Sequence, residues 1–149
     1  MAPNPEDVAA GLTAVLPVLM RTVERRLALD YARPKPPDAQ LALLRLVGER
    51  EGITVREAAD ALLMKANNVS ALVSHLVGEG LLTRVPDEND RRVVHLHPTA
   101  DAREQFASVD GLTADYLLAA LDGLDPAQVA AIGEALPGLI ALARRMHAG

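Results

Sequence analysis

Three prolines in four residues, Pro34, Pro36 and Pro37, forbid a continuous helix or sheet strand across that point of the chain. Arg33-Pro34-Lys35-Pro36-Pro37 is therefore expected to be a stiff linker, and it divides an N-terminal segment from everything that follows. The segment before it reads as one helix. Asn4 can cap, Pro5 suits the first helical position, and Glu6 and Asp7 favour the positive end of the helix dipole. Val8, Leu12, Leu16, Leu19, Val23 and Leu27 then recur at three- and four-residue spacing. A helix reaching about Tyr31 would be roughly 40 Å long, with a kink expected at Pro17. That length outreaches a small domain, so this helix is expected to lie against a second subunit.

Beyond the linker, Leu41, Leu44 and Val47 mark a second helix ending near Gly48. Ile53 suits a short strand. Thr54-Val55-Arg56-Glu57 is a capping box, opening a helix that buries Ala58, Ala59 and Leu62. After a break from Leu63 to Ala66, a further helix carries Val69, Leu72, Val73, Leu76 and Val77 on one face and stops at Gly78-Glu79-Gly80. Leu81–Val85 and Arg92–Leu96 read as two strands joined by the polar segment Pro86–Arg91. Thr99 can cap a fifth helix, and Asp125-Pro126-Ala127-Gln128 opens a last one. That helix presents Val129, Ile132, Leu136, Ile140, Ala143 and Met146, with a bend or interruption expected at Pro137-Gly138.

Composition narrows the function. The only aromatic residues are Tyr31, Phe106 and Tyr116, so the core must be built from Leu, Val, Ile and Ala. The absence of cysteine excludes disulfides, thiolate metal sites and cysteine nucleophiles. A net charge of -5 argues against a general polyanion binder and leaves room for a local basic patch. The acidic start lacks a signal peptide's basic region, and no run approaches roughly 18 uninterrupted apolar residues. The expectation is a soluble cytoplasmic protein, mainly α with a small β-hairpin, an α+β chain of one domain with helical arms.

Two short helices followed by a hairpin describe a winged helix-turn-helix, whose second helix is sized for the DNA major groove. Ile53–Ala59, Asn68–Val73, Leu76, Gly80-Leu81-Leu82 and Asp90–Leu96 resemble the MarR family of bacterial regulators. The resemblance spans nearly the whole chain. Its strongest element is Asp90-x-Arg92 followed by Leu96 and Thr99, and it departs from the family in having His97-Pro98 before Thr99 and Ala102 where glycine is usual. It implies a single domain over 1–149, with an N-terminal dimerisation helix at 5–32, a winged helix-turn-helix at 38–97 and C-terminal dimerisation helices at 99–147. It also implies a homodimer on a pseudo-palindromic double-stranded operator, acting as a repressor that answers to a small ligand.

Carried over by position, the resemblance makes the helix at about 65–79 the recognition helix. Lys65, Asn67, Asn68, Ser70, Ala71, Ser74 and His75 would face the groove. The wing, at about 82–97, would add Arg84, Asp90, Arg91 and Arg92, with Arg92 in the minor groove braced by Asp90. The same residues have a plainer reading: asparagines that cap a helix, arginines on a solvated hairpin tip. From Thr54 to His97 five basic residues face six acidic ones, and Ala71 stands where the family carries arginine. This predicts weaker or more salt-sensitive DNA binding, or recruitment of protonated His75, His95 and His97. The alternative is a helical dimer that binds a small molecule or protein without appreciable DNA binding.

His95-x-His97 on a strand, with His75 in reach, has the makings of a zinc site, but paired polar residues on a wing usually face solvent or phosphate, and no metal site is expected. No nucleophile elbow or glycine-rich phosphate loop points to an enzyme, and no cofactor is implied. The resemblance further implies an effector, aromatic or anionic, between the dimerisation helices and the winged domain. Tyr31, Arg33, Phe106 and Tyr116 are the candidates to meet it, and ordinary packing or linker roles are as good a reading of each. The family's redox-sensing branch needs a reactive cysteine and is excluded.

Overall fold

The computed structural model describes residues 3–148. Its elements run α1 (Pro5–Asp30), α2 (Asp38–Glu49), β1 (Ile53–Thr54), α3 (Val55–Ala61), α4 (Ala66–Gly78), β2 (Leu82–Pro86), β3 (Val94–Pro98), α5 (Ala100–Leu121) and α6 (Pro126–Ala148). The chain forms two compact units, one reaching Gly111 and the other starting at Leu112.

In the first unit, local chemistry sets the helix starts. Asn4 accepts the Glu6 N–H at 3.2 Å with Pro5 in the first turn. The Thr54 hydroxyl accepts the Glu57 N–H at 3.2 Å while the Glu57 carboxylate takes the Thr54 N–H at 2.8 Å, the reciprocal pair of a capping box. Helix α1 runs unbroken through Pro17 and has no buried residue. The core is wholly aliphatic: Leu43 and Val47 of α2, Val69, Val73 and Leu76 of α4, and Leu96 of β3 are all fully shielded. Phe106 lies half-buried at its edge.

Helices α3 and α4 end in the same way with different residues. At the end of α4 the Leu81 N–H reaches the Leu76 carbonyl at 2.9 Å, around Gly80 at φ +73°. At the end of α3 the Met64 N–H reaches the Ala59 carbonyl at 2.9 Å, around Leu63 at φ +53°. Both are Schellman closures, in which the residue after the cap takes the left-handed conformation. A leucine pays a steric cost there that glycine does not, and its side chain is 94% exposed and contributes no packing. Leu63→Gly is therefore expected to stabilise the protein by about 1 kcal/mol, read as a raised thermal midpoint. An unchanged or lowered midpoint would show that Leu63 is not strained.

The three strands form an antiparallel sheet in the order β1-β3-β2. Leu82 pairs with Pro98 and Pro86 with Val94, so the hairpin sits two residues later on its return strand than Arg92–Leu96. The turn is the reason: the Asp87 N–H bonds the Val93 carbonyl and the Val93 N–H bonds the Asp90 carbonyl, both at 2.9 Å, which holds Arg91 and Arg92 in the loop. Thr99 then opens α5, accepting the Ala102 N–H at 3.1 Å and donating to the Gly80 carbonyl at 2.7 Å.

The second unit contains the end of α5 and α6. Asp125 accepts the Ala127 N–H at 2.8 Å and its own N–H meets Gln128 at 3.1 Å. Helix α6 continues through Pro137 without the expected interruption, because a proline removes one donor and leaves the hydrogen bonds of the flanking turns in place. Ile132, Leu136 and Ile140 are exposed along it. Pro126–Met146, at mean hydropathy 1.4, is by length and composition apolar enough to cross a membrane, which a search for an uninterrupted apolar run overlooks.

Candidate nucleic-acid interface

Helix α4 turns its apolar face to the core and its polar face to solvent. Lys65, Asn67, Asn68, Ser70, Ala71, Ser74 and His75 are all exposed. The helix starts at Ala66 with Lys65 as its cap residue and no side-chain cap bond, so neither asparagine caps it. Asn67 and Asn68 lie in and beside the first turn with no side-chain partner among the described residues. An unengaged asparagine amide can offer a donor and an acceptor together, which is what bidentate recognition of adenine requires.

Two members of this face are tied down. The Arg84 guanidinium on β2 donates to the Ser74 hydroxyl at 2.8 Å, and Ser74 donates to the Ser70 carbonyl at 3.0 Å. The wing strand is thereby pinned to the middle of α4, a bond that spacing alone could not reveal. His75 lies 3.3 Å from Glu79, one turn on.

The wing presents Arg91 and Arg92 to solvent. Asp90 does support Arg92, but through the backbone: its carboxylate accepts the Arg92 N–H at 3.0 Å. The guanidinium itself has no acidic partner among the described residues. Asp87 takes the Asn89 and Asp90 N–H groups at 2.8 and 3.0 Å and faces the His95 ring at 2.9 Å. These bonds, His95 first, hold its carboxyl down at about 2. Glu57 is likewise held low by its Thr54 bonds. Several of the acids that make this region acidic are thus committed to capping their own loops.

The Asp87 interactions stabilise the ionised form. Their contribution is complete above the ordinary value of 3.8 and disappears as the pH falls through about 2. Asp87→Asn is expected to narrow the difference in denaturant stability between neutral and strongly acidic solution. A parent-like acid limb in the variant would show that Asp87 contributes nothing there.

The effector candidates are not gathered at one point. Arg33 makes a two-pronged pair with Asp101 at 3.1 and 3.2 Å, which raises the guanidinium's pKa and lowers that of the carboxyl. Tyr31 and Arg33 share a shallow cleft with Glu104 and Gln105. A second open cleft lies between the proline linker, α4 and the start of α5, and is lined by Arg33, Lys35, Gln40, His75 and Gln105. Phe106 is a packing residue: its ring lies against α2 where a Cβ on Gly48 would come within 3.0 Å. Tyr116 belongs to the second unit. Among the described residues no group of three His, Asp or Glu side chains could hold a metal ion.

A short helix, a second helix with an exposed polar face, and an antiparallel wing pinned to it define the winged helix-turn-helix class. Residues 36–93 of the winged region match the MarR family model. YpoP of Bacillus subtilis (strain 168), described as an uncharacterized HTH-type transcriptional regulator, is 24% identical over 95 residues, 64% of this chain and 67% of its own. Among solved structures, RV1404 from Mycobacterium tuberculosis superposes with a TM-score of 0.75 at 18% identity, covering 95% of both chains. A MarR family protein from Bacillus stearothermophilus gives 0.70 at 20% identity, covering 96% of this chain and 99% of the other. Streptococcus pneumoniae FabT, solved in complex with DNA, gives 0.67 at 20% identity over 96% and 99%. At these identities the likeness is one of fold.

Proposed function

We propose that this chain is a sequence-specific DNA-binding transcription regulator that works as a homodimer. The observation that carries the reading is the polar face of α4, exposed in full, beside a wing whose Arg91 and Arg92 project into solvent. Lys65, Asn67, Asn68, Ser70 and Ala71 would enter the major groove, Arg92 the minor groove, with Arg84 and Ser74 holding the two parts in register. FabT, of the same fold, was solved with DNA bound.

Exposed Val15, Leu16, Leu19 and Met20 on α1, and Leu136 and Ile140 on α6, are apolar faces that a second copy would cover. On this reading the apolar length of α6 serves a subunit contact and the protein acts in the cytoplasm as a repressor. An aromatic or anionic effector in the cleft beside His75 and Arg33 would touch α4, the proline linker and the start of α5, and so bias the geometry of the dimer.

Fluorescence anisotropy against duplexes tiled upstream of the protein's own gene, at two salt concentrations, tests this. Saturable, salt-dependent binding to one tile in competition with random DNA is the expected result. The five-to-six balance of basic and acidic residues from Thr54 to His97 favours a second reading, a dimer that has given up DNA. Indifference to every duplex at low salt would establish that instead.

A further inference from the structure

His95 sits in the middle of the wing, with each ring nitrogen against an acceptor. Nδ1 is 2.7 Å from the Gly52 carbonyl oxygen and Nε2 is 2.9 Å from the Asp87 carboxylate. A neutral imidazole carries one N–H, so in that form one of these contacts sets lone pair against lone pair. Only the imidazolium donates to both. Neither acceptor can readily turn away. Gly52 stands at φ +84° with its own N–H on the Leu96 carbonyl at 2.8 Å, and the other oxygen of Asp87 holds two backbone N–H groups of the wing turn.

We propose that His95 is the positioning residue of the wing: as an imidazolium it ties the Gly52 turn to Asp87, and through Asp87 and Asp90 it sets where Arg92 stands. The bonds form one chain, from Gly52 to His95, Asp87, the Asp90 N–H, and from the Asp90 carboxylate to the Arg92 N–H. Losing the proton breaks the chain at its root and frees the tip. The consequence for DNA rests on the reading of the wing given above.

The groups around His95 favour the cation. Asp87 faces it from the wing turn and Glu57 adds attraction from α3, with Arg50 in turn favouring the ionised form of Glu57. His97, two residues along, lies beside Gly52. His95 is accordingly raised above the ordinary 6.5, by the Asp87 bond first and the Gly52 bond second. A raised value means that the latch is complete at lower pH and opens as the pH rises through it. The side chain is 32% exposed, so solvent protons can reach it.

Histidine-ring nitrogen NMR on the full-length chain, titrated from about pH 5.5 to 9, is the test. His95 is expected to keep both ring protons above the ordinary 6.5, with the Asn89, Asp90 and Arg92 amides moving at its midpoint. Asp87→Asn, which retains an oxygen for the turn amides, should lower that midpoint. His95→Arg, a cation with several donors, should hold the wing amides steady throughout. In anisotropy with a mixed-sequence duplex at low salt, the parent should lose about fivefold in affinity across the range, and His95→Arg should lose less. If the His95 midpoint falls at or below the ordinary 6.5, or the wing amides ignore it, the latch is overturned. If the amides follow His95 and no duplex binds at any pH, the latch stands and the DNA-binding reading falls.

Discussion

Truncating Leu96 to alanine is expected to cost about 2–5 kcal/mol of stability, the largest effect foreseen for any single change here. Leu96 is fully shielded and lies on β3, the central strand of the sheet. It stands opposite Ile53 on one side and Arg84 on the other, and its carbonyl accepts the Gly52 N–H. Alanine would leave a cavity where helix and sheet layers meet, among buried residues that are all aliphatic. Domains of this size are stable by about 5–15 kcal/mol, so a substantial part would be lost. Urea unfolding followed by far-ultraviolet circular dichroism should show a lower midpoint with an unchanged slope. A midpoint within a few tenths molar of the parent would mean that β3 does not anchor this core.

Arg92→Ala is expected to weaken duplex binding by about 1–3 kcal/mol, or roughly 5- to 150-fold. The guanidinium is exposed and unpaired among the described residues, so its removal leaves no buried acid behind. Asp90 holds the Arg92 backbone and would still do so in the variant. The loss should therefore fall on DNA contact and leave folding intact. Arg91→Ala, a change of the phosphate-contact type, should weaken all sequences alike and reduce the salt slope by about 1. Anisotropy at matched salt separates the two. Equal affinity of parent and Arg92→Ala would remove the wing from DNA recognition.

The position of Arg92 also shows where reading the chain residue by residue stops working. Its neighbourhood, Asp90-Arg91-Arg92, marks a hairpin, yet its place in the loop was decided by which residues of β3 found partners on β2. Pairing of Leu82 with Pro98 shifts the strand to Val94–Pro98. Alternation of residue type along one strand cannot specify that register, because the partner strand lies outside the local pattern.

Helix boundaries behaved differently, because their causes are local. Asn4-Pro5, the Thr54–Glu57 box, Thr99 and Asp125-Pro126 each satisfy free amides within three residues of themselves, and each begins a helix as written. The aliphatic stripes and Gly80 are of the same kind. Leu63 is the exception that tests the rule. Its left-handed turn carries no glycine to announce it, and only the packing of Met64 against the core requires it.

The amino-acid sequence by itself determined the helices, their caps, the aliphatic core and the polar face of α4, since each depends on neighbours within a turn or two. Tertiary structure alone decided the bonds between residues distant along the chain. Arg84 meets Ser74, His95 joins Gly52 to Asp87, Phe106 closes on Gly48, and Arg33 is claimed by Asp101. The physical reason is the range of the forces involved. Capping and periodicity act through the covalent chain, whereas these contacts exist only once burial of Leu43, Leu76 and Leu96 has brought the helices and the sheet together.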